Sequence, residues 1–318
     1  MDSEIKGNRW TIVLSGGEGE RMQPFIRNWL GQPRPKQYCS FTGGRTMLEH
    51  TLERAVMAAG SRHIVTVINH HHLSFLRMPR PLDIPGRIIA QPRRCDTGPG
   101  VFLPLTAIIA QDPEALVAIM PSDHFIHPKE RFQETLDEAF RLAEYLPGQL
   151  ILLAARPSGS EPDYGWISPG KRLPDSHASL VKRFKEKPQY EEAQKLRREG
   201  GLWNTMIVVA RAGALWDMAK ILYPGMIARF EALKPWLGTD EEADAMELVY
   251  RKMPEINFSH GLLEKVAEWT VVLPLDGVHW SDWGRPERIE ETLNSIGSKS
   301  TLPGINARRT PAVAAAAA

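Results

Sequence analysis

Residues 1 to 155 alternate short apolar, β-rich runs with amphipathic helical stretches, and that alternation constrains the fold more than any other feature. The strand candidates are WTIVL (Trp10 to Leu14), HIVTVI (His63 to Ile68), RIIA (Arg87 to Ala90), LVAIM (Leu116 to Met120) and LILLA (Leu150 to Ala154). Between the first two, Met47, Leu48, Thr51, Leu52, Ala55, Val56 and Ala59 recur at helical spacing and predict one buried face on a helix over Thr46 to Ala59. Phe132, Leu136, Ala139, Phe140 and Ala143 do the same for a helix after the fourth strand. Strands separated by helices in this order form parallel sheets joined by crossover helices. The expected fold class is α/β, a mixed, mainly parallel sheet flanked by helices, and 318 residues at 42% hydrophobic composition can bury a large core.

Beyond about residue 155 the texture changes. Turn-rich pieces such as RPSGSEPDYG and ISPGKRLPD separate shorter strands, including LVKRFKEK and TMIVVA, in what reads as an α+β extension of the same domain. No internal repeat or Pro, Gly or Ser-rich linker divides the chain. A formal net charge of +1 without a local basic patch argues against nucleic acid or a membrane as partner. Cys39 and Cys95 form no CxxC and read as free thiols in a reducing cytoplasm. The N-terminal MDSEIKGNRW has no signal-peptide core and no apolar run approaches the roughly 20 residues of a membrane helix, so the expected location is cytoplasmic. Residues 298–318, ending in PAVAAAAA, carry no amphipathic pattern and are expected to form a flexible tail.

Chemistry begins at LSGGEGERMQP, residues 14 to 24, directly after the first strand. Gly16, Gly17 and Gly19 let main-chain N–H groups approach an anion, and Arg21 adds a fixed cation with several donors. The segment is no Walker A loop, since no GK[ST] follows, and Met22 replaces the third glycine of the dinucleotide fingerprint. A glycine-rich turn alone can equally be a tight strand-to-helix connection. Lys36, in Pro35-Lys36-Gln37-Tyr38, supplies a second cation, and two cations flanking one glycine loop suit a triphosphate.

GGEGERMQP followed by PKQY resembles the signature GGxGxRLxP…PKQ of the sugar-nucleotide pyrophosphorylases, in particular their mannose-1-phosphate guanylyltransferase branch. The likeness continues in order. QPRRCDTGPG (91 to 100) is similar to EPxxRNTAPA, MPSDHFI (120 to 126) to LPxDHxI, YGWI (164 to 167) to YGYI, FKEKP (184 to 188) to FxEKP, LWNTMIVV (202 to 209) to yWNSGxF, and HWSDWG (279 to 284) to gWSDxG. The resemblance implies a Rossmann-like fold of the nucleotide-diphospho-sugar transferase type, a single catalytic domain over 1–297 with its nucleotide-binding part in 1–155 and its sugar-binding part in 156–297. It implies GTP or another nucleoside triphosphate and a sugar 1-phosphate, with mannose 1-phosphate favoured, as substrates, and Mg²⁺ as cofactor. A homo-oligomer stays open, and the longer C-terminal modules of some relatives are expected to be absent. Nucleotide contacts are implied for Leu14, Gly16, Gly17, Gly19, Arg21, Lys36, Gln91, Thr97 and Asp123, and sugar contacts for Gly165, Glu186, Lys187, Asn204 and Thr205. Arg21, Lys36, Asp123, Lys187 and Asp282 form the implied catalytic set, with Asp123 and Asp282 as metal ligands.

The residues support parts of this independently. Asp123 ends an apolar strand, where ligands of open α/β sheets bind, and a carboxylate there suits a hard cation such as Mg²⁺. A single loop aspartate more often caps a helix or a turn, however. Strand alternation places Phe184 and Glu186 on one face and Lys185 and Lys187 on the other, which also describes a charged edge strand. Asn204 and Thr205 offer the paired donors and acceptors that vicinal hydroxyls require. No convincing nucleophilic triad is present, which agrees with in-line displacement by positioning and charge neutralisation. Gln91, Asp96, Gly98, Gly100, Met206 and residues 257–265 depart from the family pattern, and IRNWLGQPR (26 to 34) reads as a loop insertion. A sister transferase with another sugar or base and a catalytically silent homologue remain open, while a nicotinamide-dependent oxidoreductase is disfavoured by Met22.

Overall fold

The computed structural model describes residues 7–77, 81–297 and 302. In chain order its elements are β1 (Arg9–Leu14), α1 (Gln23–Leu30), α2 (Met47–Ala59), β2 (Ile64–Asn69), β3 (Arg87–Gln91), α3 (Thr97–Gln111), β4 (Leu116–Pro121), β5 (Phe125–His127), α4 (Lys129–Tyr145) and β6 (Leu150–Ala155). They continue with β7 (Trp166–Arg172), β8 (Ser179–Lys185), α5 (Tyr190–Arg198), β9 (Leu202–Arg211), α6 (Ala212–Leu222), α7 (Pro224–Leu233), α8 (Glu242–Tyr250), β10 (Thr270–Pro274), β11 (His279–Ser281) and α9 (Pro286–Ser295). Every strand read from the apolar runs forms.

Both faces of the main sheet are covered because successive side chains of a strand point to opposite sides. Ile12, Val65, Val67, Val117, Ile119 and Leu152 face a core shared with α3, α6, α7 and α8. Leu116, Ala118, Met120, Ile151 and Leu153 face α4, and Val13, Ile64 and Ile68 face α2. Thr46 starts α2 with a capping box, its side chain accepting from Glu49 N at 3.2 Å while Glu49 accepts from Thr46 N at 2.7 Å. Val56, expected on the buried face of α2, is 38% exposed, and Arg54 and Ala58 are buried instead. One residue past Ala55 the helix has turned by roughly 100°, whereas Ala58 comes back over the core.

The main sheet has the order β3-β2-β1-β4-β9-β6-β10-β8-β7. β1, β2, β3 and β4 are mutually parallel, and β8 and β9 run against the rest of the sheet. From β1 the chain moves outward to β2 and β3 on one side and then returns to β4 on the other. That reversal opens a crevice at the carboxyl ends of β1 and β4, where open α/β sheets bind ligands. β9, from the second half of the chain, lies between β4 and β6, so both halves share one sheet. A second ribbon pairs β5 with β11 antiparallel, Phe125 opposite Ser281 and Ile126 opposite Trp280.

Two local expectations change, and a third falls almost wholly outside the described residues. IRNWLGQPR is largely helical, since α1 begins at Gln23-Pro24 and ends at Gly31, whose φ of 71° suits a helix terminus. Its Ile26 is buried, and Trp29 stacks on Phe41 at 5.5 Å. β8 stops at Lys185 and Lys187 has a φ of 44°, so the strand alternation does not extend to Lys187. The tail expectation falls outside the described residues apart from Leu302, which is buried with Met22, Ile26 and Leu293. Among the described residues no helix is long and apolar enough to cross a membrane.

Gly86, just ahead of β3, has a φ of 77°, and a Cβ there would lie 2.1 Å from the Ile64 carbonyl oxygen of the neighbouring strand. Gly44 has a similar φ of 73° but open space around it. Gly86→Ala is therefore expected to destabilise by on the order of 3 kcal/mol, backbone strain plus a clash, and Gly44→Ala by strain alone, about 1 kcal/mol. Urea unfolding midpoints check this; equal losses would contradict it.

Candidate active site

β1 hands over directly to the glycine loop, Ser15 N donating to Val67 O at 2.8 Å before the chain leaves the sheet. Gly19 has a φ of 62°, and a Cβ on it would sit 3.1 Å from Lys36 Cβ, so this glycine both makes the turn and admits Lys36. Buried Gln37 donates through Nε2 to the carbonyls of Ser15 (3.0 Å) and Gly17 (2.8 Å), and buried Asn69 donates to Gly16 O at 2.6 Å. With three successive carbonyls held, the planar peptide units of the loop are fixed in orientation, and their N–H groups stay available to an anion. A cavity of about 100 Å³ adjoins the loop, lined by Leu14, Gly16, Gly17, Gln91 and Thr97 together with Asn69, Arg94 and Asp96.

Gln91 is buried at the end of β3, and its Oε1 accepts from Tyr250 Oη at 3.1 Å. Burial pushes the Tyr250 phenol well above its ordinary value, so it remains a donor. The Nε2 side of Gln91 is left toward the loop, where a Cβ on Gly16 would be 3.3 Å from it. Thr97 begins α3, and its hydroxyl accepts from Phe258 N at 2.8 Å, which joins the 257–265 segment to the cavity. Asp96 has a φ of 62° and accepts from Thr97 N at 2.6 Å.

The cations and carboxylates meet next to this loop. Lys36 is 4% exposed; its Nζ lies 2.9 Å from Asp123 Oδ2 and also donates to the Asp282 backbone carbonyl. Asp123 stands two residues before β5 and Asp282 one residue after β11, so the β5–β11 ribbon brings them to the same cation. Asp282 Oδ1 accepts from Tyr164 Oη (2.6 Å), Arg288 Nη1 (2.6 Å) and Gly284 N (3.1 Å), while Oδ2 accepts from Arg21 Nη2 at 2.9 Å. Burial opposes ionisation of Asp282, but Lys36, Arg288 and the Tyr164 hydroxyl outweigh it and hold its carboxyl well below the usual range. At Asp123 burial is likewise overcome, by Lys36 and His124. Both carboxylates are thus charged, and their oxygens form a hard donor set that fits a magnesium-like cation. Arg21 is the loosest member, its side chain 55% exposed and shared with Asp163 at 3.3 Å.

Gly165, Glu186 and Asn204 also converge. A Cβ on Gly165 would lie 2.6 Å from Glu186 Oε2 and 3.1 Å from Asn204 Cβ, so a larger residue here would push the Glu186 carboxylate aside. Burial raises the Glu186 carboxyl above its ordinary value, and its Oε2 is buried without a hydrogen-bond partner among the described residues. Lys187 is exposed, and its backbone N donates to Tyr164 O at 3.1 Å, which places it one residue from Gly165. Thr205 does not join this group. The β6–β9 register passes from Leu153↔Ile207 to Ala154↔Asn204, and in the bulge Thr205 is fully buried, donating to Leu153 O at 2.5 Å. Met206 takes a φ of 60° there, which accounts for glycine at this position in the motif it resembles.

Arg288, Glu161, Tyr164, Gln37 and Asn69 belong to the site, although the sequence alone assigns them no role. Gln37 and Tyr164 stand inside the ordered motifs; Arg288 and Glu161, paired at 2.6 Å, have no local signal.

The chain matches the nucleotidyl transferase family model over residues 10–298. It belongs to that family. It is 28% identical over 278 residues to the xanthan biosynthesis protein XanB of Xanthomonas campestris pv. campestris, covering 86% of this chain and 57% of that protein. It is 25% identical over 301 residues to a mannose-1-phosphate guanylyltransferase of Escherichia coli, covering 92% of this chain and 63% of the relative. Among solved structures, one described as a mannose-1-phosphate geranyltransferase from Thermus thermophilus superposes with a TM-score of 0.77 at 26% identity, covering 90% of this chain and 79% of that one. The chain therefore spans a little over half the length of the curated relatives it matches. The mixed, mainly parallel sheet flanked by helices matches the expected nucleotide-diphospho-sugar transferase fold.

Because Asp282 is the acceptor for buried Arg288, Asp282→Asn is expected to cost about 1–3 kcal/mol of stability at neutral pH. The folded carboxyl is depressed, so its contribution is present above the ordinary aspartate value of about 3.9 and is lost as pH falls below it. Thermal melts of parent and variant should converge on acidification below about pH 4; a gap that widened instead would contradict the pairing.

Proposed function

We propose that this chain is a sugar nucleotidyltransferase that joins mannose 1-phosphate to GTP, giving GDP-mannose and pyrophosphate. The observation that carries the reading is the meeting of Arg21, Lys36, Asp123 and Asp282 beside a glycine loop at the carboxyl ends of β1 and β4. The relatives named for mannose-1-phosphate guanylyl transfer support the choice of substrates. The buried free thiols Cys39 and Cys95 suit a reducing, cytoplasmic setting.

In this reading the N–H groups of Gly16 to Gly19 and the guanidinium of Arg21 receive the triphosphate. Arg21 leaves Asp282 Oδ2 when it turns to the phosphates, and that oxygen becomes available beside Asp123. Mg²⁺ held there would neutralise phosphate charge and polarise the α-phosphate. Lys36, buried and held by the Asp123 carboxylate and the Asp282 backbone carbonyl, serves as a positive charge near the reacting phosphorus. Lys187 and the Gly165, Glu186 and Asn204 group hold the sugar phosphate so that its oxygen attacks the α-phosphorus opposite the departing pyrophosphate. Thr205 supports this group through the bulge rather than by touching the sugar.

At the base, Gln91 Oε1 is occupied by Tyr250, so the amide Nε2 is the group it offers, a donor suited to guanine O6. With glutamate here, one oxygen would accept from Tyr250 and the other would face guanine N1–H and its amine. GTP is expected to be preferred, a second triphosphate to be used detectably, and Gln91→Glu to sharpen the preference about tenfold or more. Competition assays giving equal selectivity for parent and variant would show that this side chain does not read the base.

A pyrophosphate-release assay tests the activity itself. Asp123→Asn keeps an oxygen for Lys36 but loses its charge, and kcat should fall on the order of 100-fold or more with the fold retained. Lys187→Ala should raise KM for mannose 1-phosphate about 10-fold or more while changing KM for GTP little. Full Mg²⁺-dependent turnover in Asp123→Asn, or equal KM effects for both substrates in Lys187→Ala, would remove these roles.

A further inference from the structure

We propose that Glu18, His71 and His72 form a binding site for a borderline transition-metal cation of the zinc class, distinct from the Asp123 and Asp282 pair, which ties the glycine loop to the segment after β2. Glu18 lies between Gly17 and Gly19, and the two histidines open the tight helical turn His70–Arg77 that follows β2. Glu18 Oε1 is 2.9 Å from His71 Nε2 and 3.2 Å from His72 Nε2, and the three ligand atoms all lie within 4.8 Å of one another. Zinc binds imidazole nitrogen and carboxylate oxygen at about 2.0–2.2 Å, which in tetrahedral geometry puts neighbouring donors roughly 3.3–3.6 Å apart. The two Glu18 contacts, 2.9 and 3.2 Å, are a few tenths of an ångström closer than that, and the three ligand atoms lie within 4.8 Å of one another, so side-chain adjustment is what would bring them onto one ion.

A second observation points to a cation at this place. His72 is fully buried, and its Nδ1 lies 3.3 Å from the Ser15 carbonyl oxygen. A carbonyl only accepts, so Nδ1 carries the hydrogen and the neutral ring turns its Nε2 lone pair toward Glu18 Oε1. Two lone pairs then face each other at 3.2 Å. Either a proton or a metal ion relieves that repulsion, and a metal ion does so while also engaging His71 Nε2, which stands 2.9 Å from the same carboxylate oxygen. The Ser15 contact is also the outer hydrogen bond that orients a ligating histidine. Asn69 Nδ2, 3.3 Å from Glu18 Oε1, orients the carboxylate in the same way.

The donor set separates this site from the magnesium pair. Two imidazoles with one carboxylate suit zinc, cobalt or nickel, whereas magnesium prefers oxygen donors throughout. Glu18 and Asn69 are joined to the loop whose carbonyls Gln37 and Asn69 hold, so an ion here would brace the phosphate-facing backbone from behind.

The test is titration of the full, metal-stripped chain with Co²⁺, followed by Zn²⁺ competition, in millimolar Mg²⁺. One equivalent of Co²⁺ is expected to give a visible ligand-field spectrum that Zn²⁺ abolishes and Mg²⁺ does not, and Zn²⁺ should raise Tm. His71 is exposed, so His71→Ala should fold normally yet weaken Co²⁺ binding roughly tenfold or more, and Glu18→Gln should do the same. Asp123→Asn should bind Co²⁺ as the parent does. Absence of stoichiometric binding, displacement by Mg²⁺, or parent-like affinity in both His71→Ala and Glu18→Gln would overturn the site.

Discussion

The carboxylate of Asp282 holds together parts of the chain that share no local connection. It accepts from Arg21 next to the glycine loop, from Tyr164 ahead of β7, and from Arg288 on α9, while its own backbone carbonyl receives Lys36. Such a buried charge is costly to desolvate and is weak evidence for net stability. Its value lies in geometry. The buried contacts of Asp282 with Tyr164, Arg288 and Lys36 tie three distant segments together, while exposed Arg21 is the partner free to move. The hydrogen-bonded β5–β11 ribbon brings the two aspartates to one lysine, Asp123 through its carboxylate and Asp282 through its backbone carbonyl.

The sheet makes this arrangement possible. Parallel strands β1 and β4 end side by side, and their continuations, the glycine loop and the Ser122-Asp123 corner, open into the same crevice. The loop is rigid because Gln37 and Asn69 take its carbonyls, not because of its own composition, which is flexible. Glycine at 16 and 19 admits neighbours that any Cβ would crowd, Gln91 in the first case and Lys36 in the second. Rigidity therefore comes from buried amides outside the loop, and close approach comes from the glycines within it.

Much of the fold is legible in the sequence because the alternation of apolar runs and helical faces is a local pattern. All five strand candidates in residues 1 to 155 form, and the helix over 47–59 starts at the threonine that the pattern indicates. The structure departs from the pattern where a local rule runs past its element. Helical rotation removes Val56 from the buried face that its spacing suggests, and the strand alternation that would include Lys187 ends at Lys185. Thr205 carries the polar hydroxyl expected of a sugar contact, but a bulge turns it inward to Leu153.

The sequence by itself determined the strand and helix periods, the glycine loop with its two cations, and the ordered motifs that mark the nucleotidyl transferase family. These are properties of neighbouring residues, set by side-chain spacing and backbone freedom. Only the tertiary structure decided which distant groups share a charge. The pairing of Arg288 with Asp282 and Glu161, the hold of Gln37 and Asn69 on the loop carbonyls, and the meeting of Glu18 with His71 and His72 all join residues from separate elements or loops. Coulombic and hydrogen-bond energies depend on distance in space and on burial, and neither is written in the spacing of residues along the chain.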